Sequence, residues 1–234
     1  MNFFAIIDPR MPDTAVKKLE HLGIKPLKMP LTPLVEEPVS GHPDIQVFLH
    51  NGKAFVHPDI DKDFRNTLEM YCEVIVSGSR LSRTYPSDVA YNIAVAGRIA
   101  FHRSDATDPL IREYLQSSGV DIINVNQGYS KCSTLIVDDS SIITADASID
   151  RAARNSGLAS LLISPGYISL PGYRYGFIGG ATGRFSNKIL FTGSIGDHPE
   201  RESICSFIES RDLEIFLLSD EPAIDTGSIL VAEY

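Results

Sequence analysis

The segment Gly41–Leu49, with the sequence GHPDIQVFL, decides how the chain is interpreted, because a polar loop in it leads directly into an apolar run. A second strand-like run, Lys53–Val56, follows after a short break. Short apolar runs bounded by Gly, Pro, Asn and Asp are typical of strands joined by turns. The pattern predicts a β-hairpin that is entered through a loop of polar side chains.

This hairpin begins a unit of two strands, a helix and a third strand, and the same order recurs along the chain. In the first unit a helix is predicted across Lys62–Met70 and a returning strand at Glu73–Val76. A period of 44 to 48 residues separates the corresponding loop positions, which are Asp44, Asp88, Cys132, Gly180 and Asp225. Such a period indicates a repeat architecture in which neighbouring units complete one another's core.

The first strands of the second and fourth units are predicted at Val89–Val95 and Gly176–Gly180. The fifth unit has only the strand Ser228–Ala232 before the chain ends, and the strand, helix and strand that it lacks occur at Phe3–Met29. The two terminal strands are therefore predicted to pair and to close a ring. An open α/β sheet with its strands in mixed order is the alternative.

We accordingly predict a single α/β domain, residues 1–234, built as a five-fold pseudosymmetric ββαβ propeller. Its units span about 41–84, 85–128, 129–174, 175–220, and 221–234 together with 1–30. In a ring of this kind the loops that enter the hairpins point to the axis, so their side chains meet in one central pocket.

The composition excludes several classes of function. The 234 residues are 43% hydrophobic, which is enough for a full core, and the net charge of −9 gives no basic face for nucleic acid. No apolar run is long enough to span a membrane. Three cysteines without CxxC spacing indicate neither a disulfide framework nor a zinc site. We expect a cytoplasmic protein with no nucleic-acid or membrane partner, no metal and no cofactor.

Three of the five loop positions are carboxylates, namely Asp44, Asp88 and Asp225. Carboxylates that crowd a narrow pore repel one another unless a cation or hydrogen-bond donors satisfy them. The pattern predicts an acidic pocket for a small cationic ligand with a guanidino or amino group. In the alternative, each Asp only caps its own turn through backbone N–H groups.

The third loop position is Cys132, which follows Lys131 and enters a strand. A neighbouring cation favours the thiolate, so Cys132 is a candidate nucleophile and Lys131 a candidate ligand-binding residue. The alternative is a buried filler, which is the role expected of Cys72 and Cys205.

With these residues, the chain resembles the pentein superfamily of guanidino-group-modifying enzymes, such as deiminases, dimethylarginine hydrolases and amidinotransferases. The resemblance rests on the five ββαβ units, on the triplet His42-Pro43-Asp44, and on a Cys two periods later in the run Lys131-Cys132-Ser133-Thr134. It implies that Cys132 attacks a guanidine carbon, that His42 transfers protons, and that Asp44 and Asp225 hold the guanidinium.

The chain also departs from the family pattern. The family's Cys lies in the last unit, whereas Cys132 lies in the third, so an active protein would be circularly permuted. The family's Glu-Gly-Gly-Asp element has no intact copy, since Phe177–Ala181 keeps the glycines without the acids. In the unpermuted register the nucleophile's position falls at Asp225–Ser228, which contains no Cys. That register implies an inactive relative that binds a small cationic metabolite or serves as an interaction module.

Overall fold

The computed structural model of the protein describes residues 1–234 and contains five small sheets of three strands each. The fifteen strands are β1 (Phe3–Ile7), β2 (Ile24–Lys28), β3 (Val47–His50), β4 (Lys53–Val56), β5 (Glu73–Val76), β6 (Ala94–Ala96), β7 (Ile99–His102), β8 (Asp121–Asn124), β9 (Thr134–Asp138), β10 (Ser141–Thr144), β11 (Ala159–Leu162), β12 (Thr182–Phe185), β13 (Lys188–Phe191), β14 (Glu214–Leu217) and β15 (Leu230–Glu233). The helices are α1 (Asp13–His21), α2 (Pro43–Gln46), α3 (Lys62–Leu68), α4 (Pro109–Ser117), α5 (Ser130–Ser133), α6 (Ala147–Asn155) and α7 (Arg201–Glu209), with a 3₁₀ helix at Glu37–Val39.

Four of the sheets have the predicted order: β3-β4-β5, β6-β7-β8, β9-β10-β11 and β12-β13-β14. In each, the first two strands form an antiparallel hairpin and the third is parallel to the second. A parallel pair requires a crossover connection, which the helices α3, α4, α6 and α7 supply. Aspartates cap three of these helices, because the side chains of Asp61, Asp108 and Asp146 accept hydrogen bonds from first-turn N–H groups.

The fifth sheet joins the two ends of the chain. Strand β15 pairs antiparallel with β1, with Leu230 opposite Ile6, and β1 is parallel to β2. The predicted pairing of the terminal strands is therefore confirmed. The first strands of the five units also lie beside one another, in the order β3, β15, β12, β9 and β6.

Each helix packs between its own sheet and the sheet of the preceding unit. Helix α4 of the second unit, for example, places Ile111 and Leu115 in one buried cluster with Phe48 and Phe55 of the first unit. Helix α7 likewise shares a cluster with strands of the third and fourth units. Neighbouring units therefore share their hydrophobic clusters, and no unit buries its helix alone.

Three predicted strands and one helix differ from the observed elements. The strand predicted at Ser228–Ala232 begins only at Leu230, because Ser228 has a left-handed backbone with a φ of +59°, and the helix predicted across Lys62–Met70 ends at Leu68. Of Val89–Val95 only the end belongs to β6, since Val89 N–H and Asn92 N–H are engaged in turns. Gly176–Gly180 is not a strand, because Phe177 N–H donates to the Asp225 side chain and Gly180 N–H to the carbonyl of Cys132. The ladder of the fourth unit starts later, at Thr182. In addition, the helical turn α2 precedes the first hairpin. No helix combines the length and the apolar character that a membrane crossing requires.

Candidate active site

Two short helical turns in equivalent places, α2 and α5, bring Asp44 and Cys132 together. Each turn directly precedes the first strand of its unit. The Cys132 Sγ atom lies 3.1 Å from both carboxylate oxygens of Asp44, although 88 residues separate the two in the sequence. His42 occupies the N-cap position of α2. A ring nitrogen of His42, a carboxylate oxygen of Asp44 and the Cys132 sulfur all lie within 4.8 Å of one another, and the three residues are at most 3% exposed.

Further hydrogen bonds hold the Asp44 carboxylate in place. The Ser228 hydroxyl donates to Asp44 Oδ2 at 2.6 Å, and Asp44 N–H donates to the carbonyl of Gly227. Lys131 Nζ donates to the Ser228 oxygen at 3.1 Å, so its charge supports Asp44 through Ser228. Burial lowers the pKa of Lys131, and Asp44 opposes this effect.

The environment keeps the free Cys132 thiol protonated. Burial raises the pKa of this thiol well above its usual range, and the Asp44 and Asp225 carboxylates raise it further. The side-chain amide of Asn92, whose Nδ2 donates to Sγ at 3.2 Å, acts in the opposite direction. The unliganded thiol therefore keeps its proton, donates a hydrogen bond to Asp44 and is a poor nucleophile.

His42 lies next to a buried carboxylate, that of Asp225. The distance from His42 Nδ1 to Asp225 Oδ1 is 3.8 Å, and Nδ1 makes no hydrogen bond. Asp225 accepts hydrogen bonds from the N–H groups of Phe177 at 2.8 Å and Gly227 at 3.0 Å. Burial raises the pKa of Asp225, whereas His42 and these donors lower it. Asp225 is thus placed to stabilise a proton on His42.

Two glycines make room for this pair. A Cβ atom on Gly227 would lie 2.1 Å from the His42 Cβ, and Gly227 has a φ of +70°, which disfavours other residues. A Cβ on Gly180 would lie 1.9 Å from Asp225 Oδ1. The glycine-rich turn of the fourth unit therefore contributes space to the site.

A cavity of about 410 Å³ opens above the sulfur. Its polar groups are Cys132, His42 and Asp225, together with Arg174, which forms no ion pair. The rest of the wall is aromatic and aliphatic: Val39, Ile45, Tyr129, Leu170, Tyr173, Tyr175 and Phe177. A small planar cation with an apolar stem matches this combination of a charged floor and an apolar wall.

The six predicted site residues do not all lie in this cavity. Cys132, His42 and Asp225 line it, and Asp44 contacts the sulfur. Asp88 is outside its wall and accepts a hydrogen bond from the hydroxyl of Tyr129, a residue that does line it. Burial raises the pKa of Asp88, and this hydrogen bond opposes the shift. Lys131 instead lines two other cavities, of about 180 and 90 Å³, the second of which it shares with Asp44.

Three residues of the site were missed in the sequence. Asn92 and Ser228 lie inside segments that were predicted as strands, where a polar residue looks like part of a solvent-facing alternation. Tyr129 carries no motif of its own. Only the positions of Asn92 and Ser228, close to loop positions of their units, could have drawn attention to them.

His42, Asp44 and Cys132 are residue types that also bind transition metals. The group contains only three such side chains, and both Asp44 oxygens already accept hydrogen bonds from the thiol and Ser228. We assign no metal to it, because the carboxylate that would be a ligand is already engaged by the thiol and the Ser228 hydroxyl.

Comparison with solved structures identifies proteins of similar fold. The chain is similar to the amidinotransferase SxtG from Microseira wollei, with a TM-score of 0.60 and 12% identity over 98% of this chain and 93% of that one. It is also similar to a mutant dimethylarginine dimethylaminohydrolase from Pseudomonas aeruginosa complexed with citrulline (TM-score 0.59, 7% identity, 100% and 98% of the two chains). A third similar structure is C. jejuni agmatine deiminase with substrate bound (TM-score 0.58, 9% identity, 100% and 93%).

These similarities show that the chain is a pentein-fold protein, as the five ββαβ units and the paired termini predicted. Within that class it belongs to a family of unknown function, DUF6873, whose sequence profile matches residues 6–230. No curated protein matches the sequence.

Proposed function

We propose that the protein is a cysteine-dependent enzyme that breaks a C–N bond of a guanidine or amidine, as a hydrolase or an amidinotransferase. The observation that carries this proposal is the buried cluster of Cys132, Asp44 and His42, in which Cys132 and His42 line the cavity and Asp44 contacts the sulfur. The fold supports it, because similar structures include an amidinotransferase, an agmatine deiminase and a dimethylarginine hydrolase with bound citrulline.

The two buried carboxylates provide the binding energy for a cation. Asp225 lines the cavity and Asp44 contacts the sulfur from outside its wall, so both attract a guanidinium bound there, and the aromatic wall packs on its stem. A unit charge at about 4 Å and an effective dielectric constant of about 20 is worth roughly 4 kcal/mol, which corresponds to about three pKa units. A bound cation therefore lowers the pKa of the Cys132 thiol, so that the substrate activates its own nucleophile.

The reaction then follows in two stages. The thiol proton passes to His42, the thiolate attacks the guanidinium carbon, and the C–N bond breaks as His42 returns the proton to the leaving amine. Asp225 stabilises the protonated imidazole. In the second stage water, or an acceptor amine, gives a proton to His42 and attacks the thiouronium carbon. The product leaves as a urea or a new guanidine, and His42 returns the proton to the thiolate.

The remaining predicted residues, Lys131 and Asp88, act through other side chains. Lys131 is linked to the Asp44 carboxylate through Ser228, and Asp88 orients Tyr129 in the cavity wall. The five units form one closed propeller over residues 1–234, in which the order of His42 and Cys132 along the chain reflects a circular permutation of the family's arrangement.

A second candidate function is a catalytically inactive protein that binds a small cationic metabolite. The raised pKa of the Cys132 thiol favours it, because a sulfur that stays protonated does not attack. The segment Phe177–Ala181, which has glycines but no acid, also favours it.

Labelling with 2-chloroacetamidine separates the two functions. This amidinium reagent is expected to alkylate Cys132 faster than its neutral analogue 2-chloroacetamide, because Asp44 and Asp225 attract the cation to the sulfur. Peptide mass spectrometry locates the label. Cys132→Ser should lose it, while Cys72 and Cys205 remain as internal controls in the same chain. A screen of guanidino compounds for ureido product and ammonia then tests turnover.

Two results would count against the enzyme. Equal labelling of Cys132 by the two reagents would show that the pocket does not recognise the cation. Labelling that persists in Cys132→Ser at the same rate would place the reactive thiol elsewhere. Selective labelling without turnover on any guanidine or amidine, with water or an added amine as acceptor, would favour the inactive binding protein.

A further inference from the structure

Asn92, in the second unit, makes an unusual set of contacts with the residues around the sulfur. Its side-chain Oδ1 accepts hydrogen bonds from the N–H groups of Lys131 at 2.8 Å and Cys132 at 3.1 Å. Its backbone carbonyl accepts a third bond, also from Lys131 N–H. The residue is fully buried. Asn92 therefore holds two consecutive N–H groups of the turn that carries the nucleophile.

These contacts also fix which end of the amide faces the sulfur. Because Oδ1 has two N–H donors directed at it, the NH₂ group must point the other way, toward Cys132 Sγ at 3.2 Å. An amide nitrogen only donates, so this contact stabilises the thiolate. It is also compatible with the thiol, whose sulfur can accept a hydrogen bond. It is the one donor to Sγ from a neutral side chain.

We infer that Asn92 is a catalytic residue of this site, the hydrogen-bond donor that stabilises the Cys132 thiolate and orients it toward the cavity. The inference rests on the proposed function only in taking Cys132 as the reacting group. When the thiol gives up its proton, its bond to Asp44 is lost and becomes a repulsion, whereas the bond from Asn92 becomes stronger. Asn92 thus partly offsets the destabilising effect that the Asp44 carboxylate has on the thiolate.

The charged and titratable groups around Sγ come from three parts of the fold. The α2 segment contributes the Asp44 carboxylate and the His42 imidazole. The α5 turn and the residue before it contribute the Lys131 ammonium and the Tyr129 phenol. The segment before β15 contributes the Asp225 carboxylate. None of these groups is changed by a substitution at Asn92, so the effect of that substitution reports on the amide.

The isosteric variant Asn92→Asp separates donation from structural support. Its carboxylate can still accept from the N–H groups of Lys131 and Cys132, but it presents an acceptor to the sulfur. A hydrogen bond to a charged group supports an expected effect of about 10- to 100-fold. The alkylation of Cys132 by neutral iodoacetamide should slow by this factor near neutral pH, with its pH profile shifted upward. The profile is measured on the full chain by mass spectrometry of the Cys132 peptide.

Asn92→Ala provides the comparison, since it removes the donor and the Oδ1 acceptor without adding charge. Donation to the thiolate predicts that the pH profile moves upward in Asn92→Ala as well as in Asn92→Asp. A purely structural role predicts that only Asn92→Asp, which adds a carboxylate beside the sulfur, moves the profile, while Asn92→Ala keeps the wild-type midpoint. A wild-type midpoint in Asn92→Ala would overturn the inference.

A measurement on the unmodified side chain serves if either variant fails to fold. In protein with ¹⁵N-labelled Asn, one side-chain amide signal should move with pH along the titration of Cys132 and should stay still in Cys132→Ser. An absence of any such signal would overturn the inference. Neither assay needs turnover, so failure of the proposed enzyme activity and failure of the role of Asn92 give different results.

Discussion

The first and third units differ from the second and fourth at the place where each chain segment enters its hairpin. In the first and third, a helical turn (α2 or α5) presents a reactive side chain, Asp44 or Cys132. The second unit contributes the amide of Asn92 there, and the fourth contributes glycines that leave room for Asp225. The repeat determines where the loops meet, and the individual side chains determine what chemistry is present.

The difference also explains why the site combines opposed effects. The carboxylate of the unit that supplies Asp44 suppresses the thiolate, while the unit that supplies Asn92 supports it. The fourth unit adds no charge there, since Ile178 and Ala181 flank Gly179 and Gly180. In the proposed function, a cationic ligand supplies the charge that makes the sulfur reactive.

The largest effect is expected from Asp44→Asn, because the first unit would then present a neutral amide to the sulfur, as the second unit does. Loss of the carboxylate should slow labelling of Cys132 by 2-chloroacetamidine by about 100- to 1,000-fold, because one buried ion pair is lost. Labelling by neutral 2-chloroacetamide should become faster, because the same change lowers the pKa of the thiol. Both rates are measured by mass spectrometry.

Asp88→Asn is the matched control, since it removes a buried carboxylate at the equivalent loop position whose partner is the Tyr129 hydroxyl rather than Cys132. It should change either rate by less than about threefold, because no contact with the sulfur is lost and the new amide oxygen can still accept from Tyr129. If Asp44→Asn changed the rates with both reagents by the same factor and in the same direction, Asp44 would not be the group that recognises the cation.

A smaller effect is expected where the fifth unit touches the first. Gly227→Ala should displace His42 and, through the hydrogen bond from Asp44 N–H to the Gly227 carbonyl, Asp44 as well. We expect about a tenfold loss in the rate of amidine labelling, equivalent to about one pKa unit. The left-handed backbone should also cost about 1–2 kcal/mol of stability, measured by urea unfolding.

Gly23→Ala controls for the backbone term alone. Gly23 has a similar φ of +78°, and no atom lies within 4 Å of the position its Cβ would take. It should lose a similar amount of stability and keep the labelling rate. Equal labelling losses in the two variants would mean that the close approach to His42 is not what matters.

Much of the fold could be predicted from the sequence because it depends on local alternation and on a period. The apolar hairpins and the helices that follow them identify each unit, and the incomplete ends of the chain imply the pairing of β15 with β1. The same period brought Asp44 and Cys132 to equivalent places. Strand starts were less accurate where backbone groups bond to side chains, as at Phe177.

The direction of individual side chains could not be predicted in the same way. Lys131 and Cys132 are adjacent, but the helical turn α5 sends them to different cavities. Asn92 was hidden in a predicted strand, because its role comes from contacts with the turn of the next unit. No local sequence pattern records those contacts. Sequence spacing therefore located the site but not its full set of contacts.

Thiolate formation on ligand binding tests the central claim most directly. Near neutral pH all three thiols are protonated in the free protein, since burial raises the pKa of Cys72 to about 11 and also raises those of Cys205 and Cys132. Titration with an unreactive guanidinium or amidinium compound should produce the ultraviolet absorbance of one thiolate, at a lower pH than without ligand. The signal should be absent in Cys132→Ser. Saturable binding of the compound with no thiolate, or an equal signal in Cys132→Ser, would contradict the claim that a bound cation activates Cys132.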